Sequence, residues 1–596
     1  MASLPELVRI SPRSMFTRLV ALLPLFPAVA LFVFFAYLVF HARGLPDYDY
    51  WSIFPSMLAD GNLHVTPATL YALSNEHIVL VPKLVYLANF ALTDGDNFGL
   101  SLVVCAYALF VALVFTRVLT RHATSTIEAV MLGAVAAAAA YSSLAAHNFF
   151  IGMSGVAWFG ANAAMVCAAA MLMRALRTNS RGWLAAAVVL SLVAGHTYST
   201  GIVAMLALGL QARSLPGARR LGAILLVAGF VFLLIVYGFQ DVPAHHGERT
   251  FDPAKLLTFA LKFLGGGLTQ SPSLALLWGG AGLAAFLALG SSHLRQRSGD
   301  ASISAFWIAI CSYVLMNAGI AAIGRSGMGG EGAALASRYA SVPSLFWIGL
   351  LGLALSRYPR AATAADGPRI RGIVVLALLA VATSMTEGRS RVEQALRRTE
   401  GKPVASLAVW LGARDDAYFR TNITPAIGQL YRALPDLRAI GHLPFDDRFG
   451  DCPRLGEHLQ PAAPGSATSI IGHIDVATPV RDGWFRIHGW ALAPELDDPP
   501  LVRNEDLVAE RACMALVDDH NRVIGLGIGG MARDDVARVY KREQAAFGWS
   551  GYARIERGAE ESRVRAMLRD PAGNAWLEVP SSLEIPAQAR GGKSEQ

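Results

Sequence analysis

Nine stretches of this chain, near residues 19–41, 97–116, 127–144, 155–173, 220–239, 272–290, 303–323, 340–356 and 371–386, are almost uninterrupted apolar sequence. Each comes close to the roughly 20 residues that an α-helix needs to cross the hydrocarbon of a bilayer. Repeated runs of this length exclude a water-soluble globule and predict a polytopic α-helical membrane protein. Composition agrees, with 54% hydrophobic and only 16% charged residues, where soluble domains carry about 25% charged. The first run is longer than the roughly 7 to 15 apolar residues of a cleaved signal, and no small-x-small site follows it, so it reads as an uncleaved anchor.

One further segment resists the count. From Trp183 to Ala212 the chain is apolar but broken by "GHTYSTG" at 195–201, too long for one helix and too short for two full crossings. Arg174, Arg177 and Arg181 precede it and Arg213, Arg219 and Arg220 follow it, so the positive-inside rule places both ends in the cytoplasm. The expectation is a hairpin of two short helices whose tip is buried in protein or lines a wet cavity, the only settings in which irregular backbone is tolerated at membrane depth. That makes about eleven membrane segments. With the N-terminus inside, the cytoplasmic loops hold seventeen arginines and the opposite loops seven Lys plus Arg. The loops at 42–96, 145–154, 240–271 and 324–339, and everything after about 387, are then extracytoplasmic. The net charge of +7 reflects these topological arginines, and no nucleic-acid partner is implied.

Beyond the membrane part (1–386) come an α-rich connecting region at 387–465, closed by the Pro, Gly and Ser linker "LQPAAPGSATS", and a run of short alternating strands at 466–590 separated by turn signals such as "DDHNR" and "DPAGN". The strands read as a small β-sandwich, and the tail 591–596 as disordered. Trp484, Trp490, Trp549 and Tyr552 are expected to fill its core rather than to stack on sugars. The five cysteines show no C-x-x-C spacing. Cys452 and Cys513 share the extracytoplasmic part, but sequence alone does not bring their Cα atoms within bonding range.

The loops hold the candidate chemistry. "GLPDYDYWSIFPSM" sets Asp47 and Asp49 one residue apart at the membrane edge, before an amphipathic segment expected to lie at the interface with Tyr50, Trp51 and Tyr86 at headgroup depth. In an extended segment two such carboxylates face opposite sides and do different work. Glu76 and His77 open the second segment, "NEHIVLVPKL". In "GRSGMGGEGAALASRYASVPSLFW", Arg338 offers a planar fork of donors to a phosphate, followed by Tyr339, with Arg325 a second cation. His147 and Asn148 form the second outer loop, and His196 and Tyr198 top the short hairpin. No H-E-x-x-H, Walker A, Rossmann or G-x-S-x-G pattern with its required context occurs.

"PDYDYW", "NEHIVLVPKL" and "ASRYASVPSLFW", together with this topology, resemble the GT-C glycosyltransferases, polytopic enzymes that take sugars from polyprenyl-phosphate carriers. The resemblance covers about residues 19–386. The segments "GWALAP", "GGMARDDVARVYKR" and "GWSGYARI" look like domains appended to bacterial sugar-processing proteins, making the last domain a candidate carbohydrate-binding module. The resemblance implies a GT-C-like bundle in the bacterial inner membrane that transfers sugar, with inversion, from a lipid-linked donor to a glycan or lipid-linked acceptor. It implies Asp47 or Asp49 as the base, Arg338, Tyr339 and Arg325 at the donor phosphate, and Glu76, His77, His147, Asn148, His196 and Tyr198 lining the site. It implies no definite cofactor beyond a divalent cation that one aspartate could touch, and leaves metal dependence open. The competing expectations are an envelope-lipid or glycan flippase, and an O-antigen-type ligase or polymerase.

Overall fold

The computed structural model describes residues 22–40, 43–75, 77–238, 251–295, 300–327, 332–357, 367–462, 470–492, 502–503, 510–511, 513–542, 546–555, 561–569 and 575–586. The chain divides into two compact units: residues 1–40, 65–88 and 98–395 form one, and 41–64, 89–97 and 396–596 the other. The first outer loop therefore contributes to both. Glu76, His245, His246, Glu331, the linker core at 463–469 and the tail 591–596 lie outside the described residues.

In the first unit, seven of the nine apolar runs form helices long and apolar enough to cross a membrane: Leu23–Phe40, Asn97–His122, Thr126–Phe150, Gly152–Thr178, Pro216–Val236, Pro272–His293 and Ala301–Arg325. The apolar helical stretch Arg371–Leu411 is an eighth among the described residues, and Ser341–Leu355 is apolar but shorter. The segment that resisted counting divides as its polar break dictates. One helix covers Arg181–Thr197, another Ala204–Arg213, and a single 3-10 stretch, Ser199–Val203, joins them after an extended Tyr198. A Cβ on Gly201 would fall 1.8 Å from the Ala194 carbonyl oxygen, so only glycine lets this turn fold back on the end of the preceding helix. Small residues perform the same service between membrane helices generally.

The expected interfacial segment of the first loop is shorter than its pattern suggested. Tyr50–Ile53 makes one helical turn, a 3-10 turn spans Pro55–Met57, and a two-residue hairpin pairs Leu58–Ala59 with Asn62–Leu63. Tyr50, Trp51 and Tyr86 are not at a lipid surface; each is essentially withdrawn from solvent. Tyr86 donates its hydroxyl to the Met153 carbonyl at 2.9 Å.

The C-terminal strands are β1 (Ile471–Pro479), β2 (Trp484–Leu492), β3 (Cys513–Val517), β4 (Val523–Met531), β5 (Gly548–Arg554), β6 (Glu561–Arg569) and β7 (Trp576–Pro586). They form one antiparallel sheet in the order β7-β6-β3-β4-β5-β2-β1. The sandwich expected from the sequence is thus one continuous ladder that curls until its ends meet. Across the seam the Ile474 amide donates to Ser581 Oγ at 3.1 Å, and a Cβ on Gly472 would stand 2.8 Å from Val579. Curling to a barrel-like form protects edge strands. Phe485, Ile487, Met514, Leu516, Trp549, Leu568 and Ile585 fill the interior. Trp484, Trp549 and Tyr552 are buried as expected, and only Trp490 stays partly open, beside Tyr540. Helix Lys402–Leu411 packs on β4 and β5. Cys452 and Cys513 are bonded, their Cα atoms 5.7 Å apart.

Candidate functional site

The acid pair is divided by its middle residue. Tyr48 adopts a φ of 51°, a left-handed conformation that costs a non-glycine residue about 1–2 kcal/mol. Its amide donates to the Ile423 carbonyl at 3.0 Å. The chain reverses there, so Asp47 is wholly buried while Asp49 is exposed at the start of Tyr50–Ile53. Opposite directions were expected of an extended segment; a left-handed residue followed by a helical turn produces them instead.

Asp47 is held by two cations. Lys402 Nζ lies 2.5 Å from Oδ2, with both side chains shielded from solvent, and Arg398 Nε lies 3.2 Å from Oδ1. Arg398 also donates to the Tyr48 hydroxyl at 2.9 Å while its guanidinium covers the Tyr48 ring at 4.4 Å. Behind this loop the Trp51 indole donates to the Pro46 carbonyl at 2.9 Å. With both carboxylate oxygens accepting from cations, Asp47 is a poor seat for a divalent ion. Among the described residues no three His, Cys, Asp or Glu side chains converge as metal ligands.

His442 anchors the same unit. It is wholly buried, its ring stacked on Phe90 at 5.6 Å and packed against Phe54 at 5.0 Å. One ring nitrogen, Nδ1, lies 2.8 Å from the Leu443 carbonyl and so must donate; Nε2 then accepts from the Tyr50 hydroxyl at 2.8 Å. Burial drives its pKa down to about 4, so the neutral tautomer prevails. Only glycine fits at Gly95, where a Cβ would stand 2.2 Å from this ring.

In the membrane unit several expected site residues converge. His77 lies 4.4 Å, ring to ring, from Tyr198; Tyr198 lies 4.8 Å from Trp158; Trp158 lies 5.3 Å from Tyr339, which reaches Phe263 at 5.8 Å. His77 sits in a tight turn, paired with Ser74, three residues before the helix Leu80–Thr93 rather than at its opening. Asn148 is fully buried, donating to the Arg338 carbonyl at 2.8 Å and accepting from Ser154 Oγ at 3.0 Å. Arg338 is an exposed residue, its guanidinium 5.3 Å from the Tyr339 ring. The His147 amide donates to Ser337 Oγ at 3.3 Å.

Two further expected residues lie at helix ends. His196 places Nδ1 2.8 Å from the Leu192 carbonyl and packs on Tyr71 and Phe232, and Arg325 ends the helix Ala301–Arg325. Sequence reasoning passed over Lys402, Arg398, His442 and Lys83. Lys83 is buried with Nζ donating to the carbonyls of Thr69 (2.7 Å) and Ala72 (2.8 Å), and burial lowers its pKa to about 8. Lone lysines inside otherwise apolar helical segments, "VPKLVY" and "KPVASLAVW", were the available signal. Comparison with protein-family models, with curated proteins and with solved structures finds no match to this chain.

Proposed function

We propose that this protein is a membrane glycosyltransferase that moves a sugar from a polyprenyl-phosphate carrier to an envelope glycan or lipid-linked acceptor outside the cytoplasmic membrane. The observation that carries the reading is the convergence, within the membrane unit, of His77, Asn148, Tyr198 and Arg338–Tyr339 from four separated segments into one aromatic and polar cluster that includes the exposed residue Arg338. Aromatic faces suit pyranose rings, and an arginine fork suits the phosphate that leaves when the glycosidic bond breaks. The disulfide Cys452–Cys513 favours an oxidising compartment for the C-terminal unit, in keeping with the topology read from the arginines.

In this reading a base takes the proton of the acceptor hydroxyl as its oxygen forms the new bond to the anomeric carbon. The polyprenyl phosphate departs with the electrons of the broken bond, and one displacement inverts the centre. Asp49, exposed, is assigned the base. Asp47, locked between Lys402 and Arg398, is assigned to positioning the loop. The test is transfer by protein reconstituted in liposomes, from labelled polyprenyl-phosphate sugar. Asp49→Asn is expected to lower the rate by about 10²–10⁴ with unfolding temperature unchanged. Full activity in that variant removes Asp49 from the mechanism, and carrier that crosses the bilayer unconsumed identifies a flippase instead.

A further inference from the structure

The second unit contains a cleft of about 370 Å³ between helices Lys402–Leu411, Asp416–Asn422 and Ile427–Ala439, within the size range of small-molecule sites. It is built by local chemistry. Gly412, in the left-handed region at φ 78°, closes the first helix, and Asp415 caps the second by accepting from the Tyr418 amide at 3.1 Å. The apolar lining consists of Val409 and Phe419, which are buried behind the surface, and the more open Leu434 and Pro435.

Two further features point to what would enter. Arg414 and Arg438, both exposed, line the cleft, and no lining residue is acidic. The carboxylates next to the lining in sequence are committed elsewhere: Asp415 accepts from Arg486 and from the Tyr552 hydroxyl, Asp416 accepts from the Tyr431 hydroxyl at 2.6 Å and pairs with Arg481 at 2.9 Å, and Asp436 accepts from the Gly61 amide at 3.0 Å. Pro435 lies inside its helix and, lacking an N–H, cannot donate to the carbonyl four residues back. That carbonyl belongs to Tyr431, itself a lining residue, and is left without its intrahelical donor. The cleft thus combines a partly apolar wall with two guanidinium groups: Arg414, 5.1 Å from the Tyr431 ring, and Arg438, which donates to the Trp410 carbonyl at 3.3 Å and covers the Phe445 ring at 4.6 Å.

We propose that this cleft binds an acidic saccharide unit: a pyranose whose apolar face meets Leu434 and Pro435, and whose carboxylate or phosphate ester is held by Arg414 and Arg438. The site needs no transfer chemistry and stands whether or not the protein is a transferase.

The experiment titrates the purified full chain in detergent with a glucuronate-containing disaccharide, glucose 1-phosphate and neutral maltose, by calorimetry and saturation-transfer NMR. At least one acidic probe is expected to bind, and maltose more weakly by about tenfold or more, the worth of a charge-assisted hydrogen bond. Comparison of the two acidic probes separates carboxylate from phosphate. Arg414→Ala with Arg438→Ala abolishes the difference between acidic and neutral probes, while Arg432→Ala, exposed on the same helix but outside the lining, binds as the parent does. Should the double variant fail to fold, each single variant carries the test. The inference is overturned by no binding of either acidic probe, by equal binding of maltose, or by folded arginine variants that bind unchanged.

Discussion

Lys402 and Asp47, 355 residues apart in sequence, meet as an ion pair from which solvent is excluded, Nζ to Oδ2 2.5 Å. Asp47→Asn strands the charge of buried Lys402, at a cost of about 3–5 kcal/mol, whereas Lys402→Met leaves Asp47 its second cation, Arg398. Asp47→Asn is therefore expected to lower the unfolding temperature sharply, and Lys402→Met by less. The double variant with Asp47→Asn, which buries no charge, is expected to lose much less than the two single losses added together. Additive losses in a double-mutant cycle read by thermal unfolding are the result that contradicts a coupled pair.

His442 links stability to pH. Its folded pKa of about 4 lies below the ordinary 6.5, so between those values the unfolded chain binds the proton that the folded chain refuses. Stability is then complete above about pH 6.5, falls as pH drops through the window, and levels near pH 4. The expected loss is about 3 kcal/mol at 1.36 kcal/mol per unit. His488, whose pKa burial and then Arg486 also lower, adds in the same direction. Unfolding followed from pH 7 to pH 4 tests this, and His442→Gln is expected to flatten most of the slope. An unchanged slope in that variant refutes the assignment.

What the sequence made legible follows from range. Apolar runs announce membrane helices because hydrocarbon demands a fixed length, and the break at "GHTYSTG" was legible because polar residues interrupt a run bracketed by arginines. The direction of the two aspartates was foreseen for the wrong reason: Tyr48 turns left-handed through contacts with Ile423 and Arg398, which no local pattern encodes. Tyr50 and Trp51 looked interfacial because amphipathic aromatics near a span usually are, yet they pack in a core completed by His442. Alternation announced the strands, but closure depends on β1 meeting β7, more than 100 residues downstream.

The Cys452–Cys513 bond closes a loop across a sequence separation of 61 residues. The chain-entropy model assigns such a crosslink about 4 kcal/mol. Reductant, or Cys452→Ser with Cys513→Ser, is expected to lower the unfolding temperature of the C-terminal unit, and reductant is expected to do nothing further to the double variant. The remaining cysteines, Cys105, Cys167 and Cys311, are free thiols and provide the internal control. Equal sensitivity of parent and double variant to reductant contradicts the assignment.

The proposed phosphate contact separates charge from placement. Arg338→Gln removes the cation, and loss of one charge-assisted contact of about 1.5–3 kcal/mol corresponds to roughly 10- to 150-fold in apparent donor affinity. Arg338→Lys keeps a charge without the planar fork and is expected to fall between. Asn148→Ala leaves the guanidinium intact but takes the hydrogen bond from the Arg338 carbonyl, so its effect should fall on turnover through a loosened backbone rather than on the charge. Transfer rates measured against donor concentration tell the two apart: a rise in KM with Arg338→Gln, and a drop in kcat with Asn148→Ala. If Arg338→Gln leaves KM and kcat at parental values, the arginine only meets solvent and the donor phosphate must be held elsewhere.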